Sequence, residues 1–188
     1  MRLILASNNK NKLREFKQLV EGMDIELLSQ SEAGLHLDVE ETGTTFEENA
    51  YLKAKAVTDA LGCAAVADDS GLVVDALGGE PGVYSARYGP GHDASDADRY
   101  NYLLNKLGDE KNRSARFVCC ICCTMPDGTV LRSRGECEGE IMHGPKGDGG
   151  FGYDPVFKPD AVERGMAELT PDEKNAISHR GKALRAFA

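Results

Sequence analysis

The sequence has no hydrophobic run approaching the length needed to cross a bilayer, so no membrane-spanning helix is expected. It opens on MRLIL, a strand pattern in place of a charged and apolar leader, and the expected location is the cytoplasm. Basic residues are in deficit: 22 Lys and Arg face 31 Asp and Glu, for a net charge of −9. A surface that neutralises many phosphates needs clustered cations in excess, so the charge disfavours a large nucleic-acid footprint, and any bound phosphate should belong to a small ligand. No Pro/Ser-rich linker interrupts the 188 residues. They suffice for one well-buried core, and residues 1–188 are expected to form a single domain. A Walker A loop is missing, since no Gly-flanked segment ends in Lys followed by Ser or Thr. No Ser/His/Asp or Cys/His arrangement favours covalent catalysis.

Cysteine is present, but its pattern argues against a metal or redox role. Cys119, Cys120, Cys122 and Cys123 contain two overlapping CxxC spacings within Arg116 to Thr124, a segment with strand character. On a strand, residues i and i+3 point to opposite faces, so neither CxxC pair converges on one ion. Phe117, Cys119, Ile121 and Cys123 share one face and Val118, Cys120 and Cys122 the other. Both faces are apolar, as in a central strand where Cys serves as a small hydrophobe, and buried free thiols are expected.

Helical and strand periods alternate along the chain. Arg2 to Ala6 reads as a strand; Asn8 to Glu21 follows as a helix with Leu13, Phe16 and Val20 on one stripe; Asp24 to Ser29 reads as a second strand. Thr45-Phe46-Glu47-Glu48 has capping-box spacing, and Phe46, Ala50, Ala54, Val57 and Leu61 line a helix that Gly62 should end. Ala64 to Gly71, AAVADDSG, reads as a buried strand running into a turn, with Leu72 to Asp75 again extended. Gly78 to Gly91 is expected to be a long loop. A helix over Asp96 to Leu107, capped by Ser95 and closed by Gly108, precedes a hairpin of Ala115 to Met125 and Thr129 to Ile141 joined by Pro126-Asp127-Gly128. Thr170-Pro171-Asp172-Glu173 opens a C-terminal helix or pair of short helices. The pattern points to the α/β class with a mixed sheet.

Five elements carry candidate chemistry. Asp68 and Asp69 lie at the end of the apolar run Ala64–Ala67, where α/β sheets place ligands and where carboxylate oxygens can hold a hard cation; alternatively Asp-Asp-Ser-Gly is a turn whose side chains cap backbone amides. In SNNKNK, Ser7 to Lys12, a strand runs into a helix N-terminus, a place that attracts phosphate, although an Asn cap with solvated lysines gives the same string. Glu40 to Ala56 brings an acidic entry, with Glu40 or Glu41 as a second carboxylate, to a helix carrying Lys53; a solvated lysine on an amphipathic helix is the plainer alternative.

Gly147, Gly149 and Gly152 satisfy GxGxxG, but Pro155 forbids the helix that a dinucleotide site requires. What remains is a flexible loop offering Phe151 and Tyr153 as stacking faces beside Asp154, or else a tight loop that its aromatics anchor. Ser178-His179-Arg180-Gly181 reads as a break between helices that exposes two donors.

These strings, taken in order, carry a resemblance. SNNKNK at Ser7, EETGTTFEENAYLKAKA at Glu40, ADDSGL at Ala67, GGEPGVYSARY at Gly78, GGFGYDPVF at Gly149 and ELTPDEKNAISHRGKAL at Glu168 together resemble the inosine triphosphate pyrophosphatase family nearly end to end. The resemblance implies an elongated, mixed, twisted sheet with flanking helices and two lobes around a central cleft, usually dimeric, and dependent on Mg²⁺. It implies hydrolysis of ITP, dITP and XTP to the monophosphate and pyrophosphate, which cleanses the nucleotide pool. By position, Ser7, Asn8, Asn9, Lys10, Asn11, Lys12 and Lys53 would contact the triphosphate. Glu41 and Asp69 would hold the metal, with Asp69 also the base. Ser70 would lie beside it in the substrate site, and Phe151, Gly152, Tyr153, Asp154, Lys174, His179 and Arg180 would surround the purine. Two departures stand out: Asn8 occupies the place of a Gly in the TGNxxK of many relatives, and the four-Cys strand is not a family feature.

The chemistry is consistent with the charge pattern. A triphosphate brings about four negative charges, so a chain of net charge −9 needs local lysines and a metal between phosphate and carboxylate. Hypoxanthine and xanthine present an acceptor at O6 where adenine presents a donor, so donors from His179 and Arg180 would reject ATP. Two alternatives remain open on the sequence: a Maf-type pyrophosphatase of modified pyrimidine nucleotides, and a purine-nucleotide-binding module without catalysis.

Overall fold

The computed structural model of the chain describes residues 1–187. Six strands form one mixed sheet in the order β2-β1-β3-β4-β5-β6. They are β1 (Arg2–Leu5), β2 (Glu26–Ser29), β3 (Ala65–Val74), β4 (Ser114–Thr124), β5 (Val130–Ile141) and β6 (Phe157–Pro159). β1 lies parallel to β2, with Arg2 opposite Glu26, and parallel to β3, with Leu5 opposite Val66. β6 returns antiparallel to β5, with Ile141 opposite Phe157. The helices are α1 (Lys10–Leu19), α2 (Phe46–Leu61), α3 (Asp96–Leu107), α4 (Pro171–Ile177) and α5 (His179–Phe187). Among the described residues no helix is long and apolar enough to cross a membrane.

The chain divides into two compact units, and the division falls inside β3, between Asp69 and Ser70. The first unit holds residues up to Asp69, Cys119–Gly135 and the C-terminal residues from Ala183. α1 begins where Asn9, in extended conformation, turns its side chain onto the amides of Asn11 (2.9 Å) and Lys12 (3.2 Å). Its Phe16 then packs with Leu3, Leu5, Leu27, Val66 and Ile121. α2 starts at Thr45, whose hydroxyl accepts from the Glu48 amide at 3.1 Å, and stops at Gly62, whose φ of 64° is the left-handed conformation that favours glycine. Ala54 and Val57 press its inner face onto Ile4, Ala65 and Ala67. Only half of the expected capping box forms, because the Glu48 carboxylate accepts from the Thr44 amide instead of that of Thr45.

The second unit comprises Ser70–Val118 and Glu136–Lys182. Its core gathers Leu72, Val74, Leu103, Phe117, Ile141, Tyr153, Val156 and Phe157. α3 carries the full capping box, with Ser95 and Asp98 each accepting from the other's amide. Arg113 is buried and donates to four backbone carbonyls, those of Ile141 (2.7 Å), Gly108, Glu110 and Met142, which ties the start of β4 to the end of β5 and the turn after α3.

Two sequence expectations need correction. Asp68-Asp69-Ser70-Gly71 is not a turn: β3 runs unbroken from Ala65 to Val74, because the apolar side chains of Leu72 and Val74 continue into the second core. Gly78 to Gly91 is not simply a loop either, since Gly82–Arg87 coils into 3-10 turns after a cis Glu80–Pro81 bond. Boundaries also moved inward: the helix expected over Asn8 to Glu21 spans Lys10–Leu19, and the strand expected from Asp24 begins at Glu26.

The four clustered cysteines are buried and unbonded on β4, as are Cys137 on β5 and, half-buried, Cys63. Burial pushes the thiols up, Cys120 to about 12 and Cys123 and Cys137 to about 11. Native protein treated with a thiol-reactive chromophore at pH 8 should therefore release signal from at most Cys63, while the unfolded chain should titrate all six cysteines.

Candidate active site

The central feature of the first unit is a set of charged side chains that the sheet and two helices bury together. Asp68 and Asp69 sit adjacent on β3, 2 % and 5 % exposed, far more enclosed than carboxylates usually are. On an extended strand their side chains diverge, and each meets a different lysine. Lys12, from the first turn of α1, places its Nζ 3.2 Å from Asp68 Oδ2. Lys53, from α2, lies with its Nζ 3.5 Å from Asp69 Oδ1 and 3.1 Å from Glu41 Oε1, bridging the two carboxylates. The Cys119 thiol approaches Asp68 Oδ2 at 3.9 Å from the neighbouring strand β4.

Asp69 differs from Asp68 in one respect that bears on chemistry. Its Oδ2 is buried and makes no hydrogen bond. Native structures rarely leave such an oxygen unpaired, and an orphan of this kind points to a ligand, ion or proton. Burial is the main reason its carboxyl is pushed up to about 6; Glu41 and Asp68 push the same way, and together these outweigh Lys53 and Lys12, which pull it down. Lys53 is the counterpart. Burial would lower it, but the carboxylates of Asp69, Asp68 and Glu41 prevail and hold it above its ordinary value, so it is fully charged.

Among the described residues, no group of three or more His, Cys, Asp or Glu side chains is placed to hold a metal unaided. Magnesium does not require one, since it usually keeps waters and takes one or two carboxylates together with substrate phosphates. Glu41 and Asp69, two carboxylates meeting at one cation with an oxygen to spare, fit that requirement.

The remaining residues of this half are placed less uniformly. Asn9 is occupied as the α1 cap, Asn8 accepts from the Ser31 hydroxyl at 2.7 Å, and Ser7 Oγ accepts from the Asn9 amide at 3.1 Å. Asn11 accepts from Arg14, while Lys10 and Glu40 are exposed. Lys53 is the opposite of the solvated lysine its position allowed, with a side chain only 13 % exposed.

The second unit builds a different surface. Lys174 of α4 is buried against Asp154, Nζ to Oδ2 2.8 Å, and Asp154 also accepts from the Phe151 amide at 3.0 Å. The Lys174 ammonium lies 4.5 Å from the centre of the Phe151 ring, and the Arg180 guanidinium 5.8 Å from it. Arg180 also donates to Ser70 Oγ at 3.2 Å. His179 stacks on Phe117 with ring centres 4.9 Å apart and planes 15° from parallel. His179 and Arg180 are not the exposed donors expected from a helix break: α5 begins at His179 directly after α4, and both side chains are buried.

Tyr153 is likewise no stacking face. Its ring belongs to the core and its hydroxyl donates to the Ser85 carbonyl at 2.7 Å, so Phe151 is the half-buried aromatic of the loop. Gly152, at φ 62°, directs its amide to Asp96 Oδ2 at 2.9 Å. Phe117, Asp96 and Ser85 support these groups and were not singled out in the sequence, because nothing distinguishes them there from an ordinary core aromatic, helix-start acid and turn serine.

Two measurements probe these clusters. With a native value near 6 against about 3.8 unfolded, Asp69 costs stability once ionised; the cost is absent below about pH 4, grows as pH rises towards 6 and is complete above it. In chelator, Asp69→Asn should raise the free energy of unfolding by at most about 3 kcal/mol at pH 8, and the gain should vanish near pH 4, in urea melts at both values. In the second unit, Lys174→Ala removes the ammonium 2.8 Å from the buried Asp154 carboxylate and should destabilise by about 3 kcal/mol, while Lys174→Ala with Asp154→Ala should cost less than the single changes combined.

Comparison with known proteins identifies the family. The Ham1 family model matches residues 3–188. A dITP/XTP pyrophosphatase of Nostoc sp. is 51% identical over 186 residues, covering 98% of this chain and 91% of that protein, and one of Deinococcus deserti is 49% identical, covering 98% and 86%. The structure of the Staphylococcus aureus Ham1 protein superposes with a TM-score of 0.90 at 45% identity, covering 99% of this chain and 95% of that one. A HAM1 protein from Coxiella burnetii gives 0.91 at 44%, with the same coverage. A fold shared at this level, with sequence identity running the full length, means that the chain belongs to the Ham1 family.

Proposed function

We propose that the protein is a Mg²⁺-dependent pyrophosphatase that hydrolyses ITP, dITP and XTP to the nucleoside monophosphate and pyrophosphate. The observation that carries this is the buried Asp69 with its unpaired Oδ2, set beside Lys53 and Lys12. The names of the relatives support the substrate class. A cytoplasmic homodimer belongs to the same proposal.

The phosphates belong with the first unit. Lys53 and Lys12 are the buried cations that offset triphosphate charge, and Lys53 can exchange a carboxylate for a phosphate oxygen without leaving its place on α2. Asn9, although committed as the α1 cap, together with Ser7, Asn8, Lys10 and Asn11, forms the polar approach to that helix end. Glu41 and Asp69 would hold Mg²⁺, which when bound withdraws charge from the phosphate oxygens and from the leaving pyrophosphate. Asp69 Oδ2 is the acceptor for a proton from the attacking water, and a value near 6 leaves it ionised yet basic at neutral pH.

The base belongs with the second unit. Phe151 offers a ring to stack on, and the cations of Lys174 and Arg180 beside it fix its orientation. Arg180 and His179 supply donors for the O6 acceptor of hypoxanthine or xanthine, and the 6-amino group of ATP would meet those donors with a donor of its own. Ser70, held by Arg180, lies one residue from Asp69 on β3, while Gly152 and Tyr153 shape the loop that carries Phe151.

Pyrophosphate release from ITP, XTP, dITP, dGTP, ATP, UTP and TTP with Mg²⁺ tests the proposal. ITP, dITP and XTP should turn over at least about 10²-fold faster than ATP. Asp69→Asn should abolish turnover while keeping the far-ultraviolet circular dichroism of the native chain. Release of orthophosphate alone would refute cleavage between the α- and β-phosphates. Preference for UTP or TTP would favour the Maf-type alternative, and binding without turnover a silent nucleotide-binding module.

A further inference from the structure

In a chain this acidic, cations left without a partner are informative. Of the eleven lysines, Lys12, Lys17, Lys53, Lys55, Lys106 and Lys174 pair with carboxylates, and Lys182 donates to the Glu136 carbonyl. Among the described residues, the side chains of the other four, Lys10, Lys111, Lys146 and Lys158, make no hydrogen bond or ion pair. Three of those four, Lys111, Lys146 and Lys158, line a single cavity of about 660 Å³ in the second unit.

This cavity shares no lining residue with the candidate active site. One carboxylate residue, Glu140, shares the lining with the three lysines, which leaves a net positive pocket on a molecule of net charge −9. The backbone of its wall is braced from within the second unit. Arg113 is committed to the carbonyls of Ile141, Met142, Gly108 and Glu110, and these bonds fix the two segments that carry Lys111 and Lys146. Unpaired cations on a braced frame bind an anion with little reorganisation.

The volume narrows the class. It falls in the range of pockets that hold drug-sized ligands, roughly 300–1,000 Å³, and is far more than one phosphate group fills. Met142 and Pro145 add an apolar wall, while Asn112 and Glu140 offer a donor and acceptors. We infer that this cavity is a second ligand site, distinct from the candidate active site, for a phosphorylated organic molecule of nucleotide size. Its phosphate is held by Lys111, Lys146 and Lys158, and its organic part lies against Met142 and Pro145.

Cytidine 5′-monophosphate is a suitable probe, because it carries the phosphate without the purine proposed for the Phe151 surface. Titrated into ¹⁵N-labelled protein, it should give saturable shifts in the amides of residues 111–114 and 140–146. Cytidine should give none, and inorganic phosphate should bind about tenfold more weakly or worse. Combining Lys111→Gln, Lys146→Gln and Lys158→Gln should weaken binding of the probe by about tenfold or more, as should raising salt to about 0.5 M, while ITP hydrolysis stays at the parent rate. Shifts confined to Phe151–Asp154, no saturable shifts, or undiminished binding by the triple variant would overturn the inference. Phosphate binding as tightly as the nucleotide would overturn its organic half.

Discussion

Two carboxylates buried side by side on a central strand set the terms for the first unit. An ionised carboxylate withdrawn from water carries a penalty of several kcal/mol unless a cation accompanies it, so β3 cannot bury Asp68 and Asp69 on its own. The cations come from two helices that precede β3 in the sequence, Lys12 from α1 and Lys53 from α2. Capping and packing aim both helices. Asn9 fixes the start of α1 so that Lys12 falls in its first turn, and the Ala54–Val57 face fixes the rotation of α2 so that Lys53 falls beside the sheet. The apolar core and the charged cluster thus depend on the same helix placements.

The cluster is asymmetric. Asp68 is met by Lys12 and a thiol, whereas Asp69 shares Lys53 with Glu41 and keeps one oxygen without a hydrogen bond. Burial is the main reason the Asp69 carboxyl is pushed up, and the neighbouring carboxylates of Glu41 and Asp68 add to it. A carboxyl held near 6 costs stability but is suited to proton transfer at neutral pH, the balance commonly found where a fold gives up stability for chemistry. In the second unit the balance is reversed. Asp154 and Lys174 pair at 2.8 Å, and the Lys174 ammonium lies 4.5 Å from the centre of the Phe151 ring.

Much of this was legible in the sequence, and the exceptions share a physical reason. Periodicity and caps located α2, α3 and the β4–β5 hairpin almost to the residue, because Thr45, Ser95, Gly62 and the Pro126-Asp127-Gly128 turn act locally. The strand geometry of β4 gave buried, unbonded cysteines for the same reason. What failed was set by tertiary context. Asp-Asp-Ser-Gly has every local feature of a turn, yet distant lysines satisfy its carboxylates and distant cores take Leu72 and Val74, so it stays extended. His179 and Arg180 looked exposed because the break between α4 and α5 is visible in sequence and the stacking of Phe117 against His179 is not. Tyr153 looked like a partner of Phe151, but the chain turns at Gly152, with φ 62°, and Tyr153 enters the core while Phe151 stays half-buried.

The overall charge of −9 disfavours a large nucleic-acid footprint and says little about local fields, which depend on where the cations are placed. Arg116 is clamped between Asp75 and Glu138, Arg134 lies on Glu47 and Arg164 on Glu173, so these cations are neutralised where they stand. Exposed pairs of this sort add little stability. Their larger effect is to remove stray positive charge from the surface, so that an anion meets attractive potential at few places. Where lysines are buried beside excess carboxylate, as at Asp69, an arriving phosphate must compete for them, which favours ligands that bring a metal. Where lysines have no carboxylate partner, as at Lys111, Lys146 and Lys158, no such competition exists, and the anion can be bound without one.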